Sequence, residues 1–408
     1  MKLLLADFIL TCNDTFEILQ NGGVVFDKKI IDVGDANALR ERYPDATVIE
    51  TPHNSVIMPG LINAHVHLEF SANQSLLCYG DFIPWLQSVI KHRDELSSLA
   101  TTELIQGKLQ EMLSSGTTTL GAISSFGLDL EACEQTPQRV VYFNEVLGSV
   151  PSAVDVMYGD FRGRFEASKS AASSRLIPAI SVHSPYSTHP ILAKKALGLA
   201  KDEGCVVSTH FMESPAERAW IDNGEGEFQT FFSAFNPHAK PMTSGEAYVA
   251  LFENNSSLFT HVVQANDAEL EAIANQKASI THCPVSNRLL GVGALNLDKA
   301  LNHGLNITLG TDGLSSNISL SLWDEMRSAL MLHPDKSLST LAVLLLKSAT
   351  CNAAKALNMA CGSVTKESLA DIIVLTLPQA CEADDVAMQT ILHTQKTTMT
   401  FIDGEEIC

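Results

Sequence analysis

The sequence predicts an α/β protein: a (β/α)8 (TIM) barrel over residues 56–362, joined to a small β-sandwich domain built from residues 1–55 and 363–408. Short β-rich apolar segments alternate with helix-like segments through the middle of the chain, which favours the barrel. Both ends of the chain instead alternate apolar and polar residues with a period of two. Neither end has enough strands to bury a core alone, so we expect the two ends to pair.

The barrel prediction depends on eight apolar strand segments that alternate with helix-like stretches. They are residues 61–66, 117–123, 140–146, 177–183, 205–210, 258–263, 278–283 and 306–311. Gly116, Gly204 and Gly304 each stand between a helical segment and a strand, where a left-handed residue commonly ends a helix.

Apolar side chains in the helical intervals recur at spacings of three and four residues. One such stripe, which we expect to face the core, consists of Phe82, Trp85, Leu86, Val89 and Ile90. The connection between the fifth and sixth strands, residues 214–256, is unusually long and aromatic. Long insertions are usually functional, so this one is either a core-facing helix or a hydrophobic lid over an active site.

The composition is that of a globular protein that binds a small molecule. With 408 residues, 45% of them hydrophobic and 18% charged, the chain can bury a large core. A net charge of −20 disfavours nucleic acid and anionic membranes, and no apolar run reaches the ~18 residues of a transmembrane helix. Nine scattered cysteines without a C-x-x-C pair favour a reducing, cytoplasmic location. An uncovered surface could support a homodimer.

A metal site is predicted at the strand ends. His65 and His67 follow the turn-forming Pro59-Gly60, and residues two apart in a strand share a face, so both imidazoles can bind one ion. His210 and Asp312 stand at the ends of the fifth and eighth strands, which converge in a barrel. Each residue alone could be structural. Together they predict a site for one divalent metal ion, zinc or iron, that leaves a position for water.

Two further residues predict proton transfer beside this metal. Glu213 follows His210 by three residues and is predicted to be the general acid/base; a solvated loop glutamate is the alternative. His261, in the sixth strand, is predicted to hydrogen-bond the attacking water or the developing oxyanion.

Substrate contacts are predicted at the remaining strand ends. His183 ends the fourth strand, and Asn287 and Arg288 lie in the loop after the seventh. His282, at the end of the seventh strand, could serve either the substrate or the structure.

Together these motifs resemble the amidohydrolase superfamily over nearly the whole chain. The motifs are Pro59-Gly-Leu-Ile-Asn-Ala-His65-Val-His67, Thr209-His210-x-x-Glu213, His261, His282-Cys-Pro-Val-Ser-Asn287 and Gly310-Thr-Asp312-Gly313. They are similar to the branch that contains cytosine, guanine and S-adenosylhomocysteine deaminases and triazine chlorohydrolases. The resemblance implies one metal ion, because the fourth-strand lysine that bridges two metals in binuclear relatives has no counterpart here.

Further motifs resemble the aminofutalosine deaminase family. They are His65-Val-His67-Leu-Glu69-Phe-Ser71-Ala-Asn73, Gly80-Asp-Phe-Ile-Pro-Trp85 and Ala122-Ile-Ser-Ser125. This resemblance implies hydrolysis of the C–N bond at C6 of an adenine, which converts 6-amino-6-deoxyfutalosine to futalosine and ammonia in menaquinone biosynthesis. It also implies that metal-activated water adds to C6, that Glu213 protonates N1, and that Asp312 takes the water proton.

The substrate implied by this resemblance carries a benzoate, for which Arg218 and Arg288 are the nearest loop cations. Glu69, within the shared motif, is a further candidate for substrate binding. Alternative activities are deamination of S-adenosylhomocysteine, methylthioadenosine or adenosine, or another aminohydrolase reaction. A more remote alternative is a non-catalytic barrel that serves as a binding scaffold, although such proteins usually lose metal ligands.

Overall fold

A computed structural model of the chain describes residues 1–72 and 75–407; Asn73, the last residue of one motif quoted above, and Cys408 lie outside the described residues. The strands are β1 Lys2–Leu10, β2 Ile18–Phe26, β3 Ile30–Asp35, β4 Thr47–Glu50, β5 Ser55–Pro59, β6 Leu61–Val66, β7 Thr117–Ser124, β8 Arg139–Val146, β9 Leu176–Val182, β10 Val207–Phe211, β11 Ser257–His261, β12 Ser279–His282, β13 Asn306–Leu309, β14 Ile372–Thr376, β15 Met399–Ile402 and β16 Glu405–Glu406.

The α-helices are α1 Ala36–Arg42, α2 Phe82–Leu99, α3 Thr102–Ser114, α4 Leu130–Gln135, α5 Val154–Ser170, α6 Pro190–Glu203, α7 Pro215–Asn223, α8 Glu227–Ser233, α9 Gly245–Leu251, α10 Asp267–Asn275, α11 Pro284–Leu289, α12 Leu297–Asn302, α13 Leu322–Leu332, α14 Leu338–Ser348, α15 Cys351–Ala356 and α16 Val386–His393. Short 3-10 helices span Leu68–Phe70, Pro151–Ala153 and Ala383–Asp385.

Strands β6 to β13 form one eight-stranded sheet in sequential order. Thr311 and Asp312, just past β13, donate their backbone N–H groups to the carbonyl oxygen of His65 in β6, at 3.1 Å each, so the sheet is nearly closed. Each strand begins and ends within two residues of its predicted counterpart. The predicted (β/α)8 barrel is confirmed. Because the carboxyl ends of the strands meet at one face, the polar residues there are brought together.

Strands from both ends of the chain form a second, mixed sheet in the order β16-β15-β14-β5-β1-β2-β3, with β4 paired to β1. β5 joins the two ends, because it pairs in parallel with β1 and antiparallel with β14. Buried side chains from both ends pack in one cluster that includes Leu4, Val24, Phe26, Ile57, Ile372, Val374 and Phe401. The prediction that the two termini pair with each other is confirmed, since they form one separate mixed sheet. Pairing continues to Pro59, beyond the predicted boundary at residue 55.

The chain divides into two compact units. One contains residues 1–64, 109–120 and 321–408, and the other contains residues 65–108 and 121–320. All of the predicted metal and catalytic residues belong to the second unit. Among the described residues, no helix is long and apolar enough to cross a membrane. The cytoplasmic location and the homodimer stay predictions.

The apolar stripe of α2 departs from its predicted role. Phe82 is buried, but Trp85, Leu86, Val89 and Ile90 line an open cavity, and Ile90 is 48% exposed. The core-facing prediction is therefore wrong for these four residues. Helical periodicity shows only that one face needs apolar neighbours, and a bound ligand can supply them as well as a protein core can.

The long insertion between β10 and β11 contains α7, α8 and α9. Phe228 in α8 is completely buried, whereas Phe231 and Phe232 in the same helix line the cavity. The insertion therefore packs partly as core, as one alternative predicted, and contributes two aromatic side chains to the cavity lining; the lid stays a prediction.

Candidate metal centre and active site

The four predicted metal ligands come together at or just past the carboxyl ends of β6, β10 and β13. The ligand-type atoms of His65, His67, His210 and Asp312 all lie within 4.8 Å of one another, and all four residues are buried. The Nε2 atoms of His67 and His210 are 3.3 Å apart, and His67 Nε2 is 3.6 Å from Asp312 Oδ1. Ligand atoms around a tetrahedral zinc ion are separated by roughly 3.3–3.4 Å. The donor set therefore fits a divalent ion.

Hydrogen bonds behind the imidazoles direct their Nε2 atoms toward this cluster. His210 Nδ1 lies 3.1 Å from the carbonyl oxygen of His183, so Nδ1 carries the proton and Nε2 keeps its lone pair. His65 Nδ1 lies 3.3 Å from Thr260 Oγ1. Burial, and then the nearby His183 and His67 imidazoles, lowers the pKa of His210 to about 3. The imidazole is neutral near pH 7, as metal ligation requires.

The Asp312 carboxylate is held in place by neighbouring hydroxyl and backbone groups. Oδ2 accepts hydrogen bonds from Ser286 Oγ and Ser316 Oγ, both at 2.8 Å, and Oδ1 accepts one from the Gly313 N–H at 2.9 Å. Asp312 has a left-handed backbone with φ of 59°, a costly conformation that clusters at functional sites. Burial acts to raise the pKa of Asp312, but His67 and other imidazoles lower it below its ordinary value. The group is therefore ionised.

Glu213 and His261 lie beside the cluster. Glu213 Oε1 is 3.6 Å from His261 Nε2, and both residues form a second close group with Asp312. His261 Nδ1 is 2.9 Å from Asn287 Oδ1, so Nδ1–H donates to the amide oxygen and Nε2 is left to face Glu213. Burial raises the pKa of Glu213 well above its ordinary value, and the charges of Asp312 and Glu217 raise it further. A neutral carboxylic acid is therefore available to donate a proton here.

Glu217 supports this site, although no sequence pattern singled it out. Its buried carboxylate accepts the backbone N–H groups of Met212 at 3.0 Å and Glu213 at 2.8 Å. Met212 has a left-handed φ of 48°, so the turn that presents Glu213 is strained and depends on such an anchor. A glutamate in the first turn of a helix is common because it stabilises the helix N-terminus. Its position therefore did not indicate that it also anchors the turn at Glu213.

We expect Glu217→Gln to lower kcat by about tenfold and leave metal content unchanged. One amide oxygen cannot replace both carboxylate acceptors, and an unsatisfied buried N–H costs about 1–3 kcal/mol. The rate of ammonia release and elemental analysis of the purified protein check this. Glu225→Gln, at an exposed position just past the same helix, is the control. An unchanged kcat in Glu217→Gln would show that the turn does not depend on the carboxylate.

A cavity of about 490 Å³ reaches this group of residues. Its polar lining includes His67, His183, Glu145, His210, Glu213, His261 and Asp312. Its apolar lining includes Phe70, Trp85, Leu86, Val89, Ile90, Phe126, Leu147, Val150, Tyr186, Phe231 and Phe232. An apolar cavity of this size with a few convergent polar groups is typical of a site for a small organic molecule.

The predicted substrate residues occupy different places. His183 lines the cavity, its Nδ1 lies 2.6 Å from Ser187 Oγ, and burial lowers its pKa to about 3. Glu69, Asn287, Arg218 and Arg288 are not among the described residues that line the cavity. The buried His282 is likewise outside this lining.

Glu69 and Asn287 support the site from behind. The buried Glu69 carboxylate accepts the backbone N–H groups of Ser125 at 2.7 Å and Phe126 at 3.0 Å, and these two residues line the cavity. Burial, and then the charge of Asp129, raises the pKa of Glu69 to about 8. Asn287 orients the His261 imidazole. Sequence position alone placed both residues near the strand ends, but it could not tell which way their side chains point.

The two predicted loop cations lie away from the cavity. Arg218 pairs with Glu269, at 2.7 Å, and with Asp222, so its charge is already compensated within the protein. Arg288, in α11, is exposed. Arg93, in α2, is the arginine among the described residues that line the cavity, and it belongs to no motif identified in the sequence.

Comparison with known proteins agrees with the geometry of the site. Residues 56–407 match the amidohydrolase family. The chain is 45% identical to the aminodeoxyfutalosine deaminase of a Nitratiruptor species, over 95% of this chain and 96% of that protein. It is 36% identical to the adenosine deaminase of Helicobacter pylori, over 98% of each chain.

The same similarity extends to solved structures. The crystal structure of Helicobacter pylori aminofutalosine deaminase in complex with methylthio-coformycin has a TM-score of 0.95 and 33% sequence identity to this chain, and the match covers 100% of both chains. The resemblance drawn from the motifs is confirmed by the family match and by these relatives. The chain belongs to the amidohydrolase family.

Proposed function

We propose that this chain is a metal-dependent hydrolase that converts 6-amino-6-deoxyfutalosine to futalosine and ammonia, a step of menaquinone biosynthesis. The 45% identity to an aminodeoxyfutalosine deaminase over nearly the whole chain supports this substrate. One structural observation carries the chemistry: a buried carboxyl group, Glu213, lies beside His261 and close to four side chains that could hold a metal ion. Glu213, His261 and three of these four side chains line one largely apolar cavity.

His65, His67, His210 and Asp312 would hold one divalent ion, zinc or iron. Such an ion, when bound, lowers the pKa of water so that it can act as a nucleophile near neutral pH. Three imidazoles and one carboxylate suit either metal, since both accept nitrogen and oxygen ligands.

Different residues near this ion carry out the separate proton transfers of the reaction. Glu213, held neutral by burial, donates its proton to N1 of the adenine ring, which makes C6 more electrophilic. His261 Nε2, which carries no proton when Nδ1–H donates to Asn287, accepts a hydrogen bond from the attacking water and orients it toward C6. Asp312 accepts the proton of the attacking water and passes it to the leaving amino group. The C6–N bond then breaks, ammonia leaves, and the hydroxyl proton on C6 returns to Glu213.

The proposal is tested by ammonia release from a panel of adenine nucleosides. We expect kcat/KM for 6-amino-6-deoxyfutalosine to exceed that for adenosine, 5′-deoxyadenosine and methylthioadenosine by at least about tenfold, which corresponds to about 1.4 kcal/mol of transition-state discrimination. Equal or higher kcat/KM for adenosine would overturn this choice of substrate. Absence of ammonia release from every nucleoside, by metal-loaded enzyme, would favour a non-catalytic barrel.

A second candidate function is deamination of adenosine or of a 5′-substituted adenosine such as methylthioadenosine or S-adenosylhomocysteine. The specific observation in its favour is the 36% identity to an adenosine deaminase over 98% of both chains. This activity would use the same residues, since the reacting ring is the same. The substrate panel therefore separates the two candidates.

A further inference from the structure

Arg93 is the single arginine or lysine among the described residues that line the cavity. It lies on the same face of α2 as Trp85, Val89 and Ile90, because residues three, four and seven or eight positions apart are neighbours on a helix. Its Nε lies 3.7 Å from Asp94 Oδ1, and the two side chains are 57% and 99% exposed. Such an exposed ion pair is weak, so the guanidinium can turn to a ligand at little cost.

Helix α2 leads from the catalytic residues to the cavity mouth. Near its start, the Trp85 indole N–H donates to the carbonyl oxygen of Ser315, at 2.8 Å, three residues past Asp312. Arg93 is eight residues further along the helix, a rise of ~12 Å. We therefore expect an adenine ring at Glu213 to lie beyond the reach of Arg93, and a group attached to the far side of the ribose to lie within it.

Exposed apolar side chains mark the outer part of the cavity. Ile90, Phe126, Leu147 and Val150 all line it, and they are 48%, 38%, 40% and 55% exposed. Large apolar side chains gathered in this way around a cavity indicate a surface that a ligand covers. An aryl group would bury these side chains, and a carboxylate on the aryl group would meet Arg93.

We propose that Arg93, together with Ile90, Phe126, Leu147 and Val150, forms a subsite for an aryl carboxylate attached to the ribose end of the nucleoside. The inference rests on the proposed function and deepens it, since it assigns the residue that distinguishes an aryl-carboxylate nucleoside from other adenine nucleosides. A guanidinium recognises a carboxylate by paired, charge-assisted hydrogen bonds. Arg218 and Arg288, the cations predicted from sequence, do not line this cavity.

A neighbouring cavity of about 350 Å³ contains the competing cation. It shares Ser149, Val150, Tyr186 and Phe232 with the larger cavity and is lined by Lys240. A substrate that extended in this direction would place its carboxylate at Lys240. The two directions are distinguished by changing each cation in turn.

The test compares Arg93→Met, Arg93→Lys and Lys240→Met with wild type on 6-amino-6-deoxyfutalosine and 5′-deoxyadenosine. We expect Arg93→Met to lower kcat/KM for the first substrate about 10- to 100-fold more than for the second, mainly through KM, because a charged hydrogen bond is lost. Arg93→Lys should recover part of this loss. Lys91→Met is the matched control, since Lys91 lies in the same helix but outside the described cavity lining.

A substrate analogue in which a carboxamide replaces the carboxylate completes the test. Wild type should lose about as much kcat/KM on this analogue as Arg93→Met loses on the natural acid, and the two losses should not add, as expected for groups in direct contact. Equal losses on both nucleosides, additive losses, or a selective loss in Lys240→Met would overturn the inference. If wild type does not deaminate 6-amino-6-deoxyfutalosine at all, the proposed function fails first.

Discussion

Glu213→Gln is expected to lower kcat about 10²- to 10⁴-fold, the usual contribution of a positioned general acid or base. The amide keeps the size of the side chain but cannot donate an acidic proton to N1 of the adenine. Glu213 lies outside the four-residue metal cluster, so the metal content of the variant should equal that of wild type. Ammonia release and elemental analysis, measured on the same preparation, check both expectations.

The pH dependence of wild type provides a second measurement of this role. Burial raises the pKa of Glu213, so the carboxyl is protonated at low pH and loses its proton as the pH rises through that value. In a profile of kcat against pH, the activity of wild type should therefore fall at high pH, where Glu213 is ionised. Glu213→Gln should not show this fall. Glu225→Gln, an exposed change, serves as the control. Full activity in Glu213→Gln would remove this residue from the chemistry.

His65→Ala is expected to abolish metal retention and to lower kcat at least about 10³-fold, because the metal supplies several kcal/mol of transition-state stabilisation. His65 is fully buried, and its Nε2 is 3.8 Å from Asp312 Oδ1. Elemental analysis and ammonia release measure the two losses. Added zinc should raise the melting temperature of metal-free wild type but not that of His65→Ala, since only the native site binds the ion.

Thr260→Val is the matched variant, since Thr260 contacts His65 from behind and does not belong to the ligand cluster. Loss of such a partner typically weakens metal affinity about 10- to 100-fold, and excess metal should restore activity. A His65→Ala protein that folds and retains stoichiometric metal would contradict the assigned ligand set. The melting temperature without metal separates this outcome from misfolding.

The barrel was predictable because its pattern is local. Each strand is a short apolar segment followed by a turn or a helix, and both kinds of periodicity can be read within about ten residues. The strand β6 and its two histidines illustrate this, since the predicted and observed bounds agree at residues 61–66. The terminal sheet was predictable for a different reason: strands with too few partners must pair with something, and the other terminus was available.

The direction of individual side chains was not predictable in the same way. Glu69 stands two residues after His67, yet its carboxylate binds the backbone of residues 125–128. Asn287 follows a strand end, yet its amide oxygen contacts His261. Both contacts join segments separated by dozens of residues, and the sequence contains no local signal for which of them forms.

By itself, the sequence determined the barrel and the four candidate ligands, because residues at strand ends in a barrel converge whatever the details of packing. Only the tertiary structure decided the shape of the cavity and the hydrogen bonds by which Glu217 holds the turn at Glu213. It also replaced Arg218 and Arg288 by Arg93 as the candidate residue for binding an anionic group. Those features depend on contacts and ion pairs between side chains that are far apart in the sequence. Arg218 forms an ion pair with the buried Glu269, whereas Arg93 lines the cavity and, among the described residues, pairs weakly with the exposed Asp94.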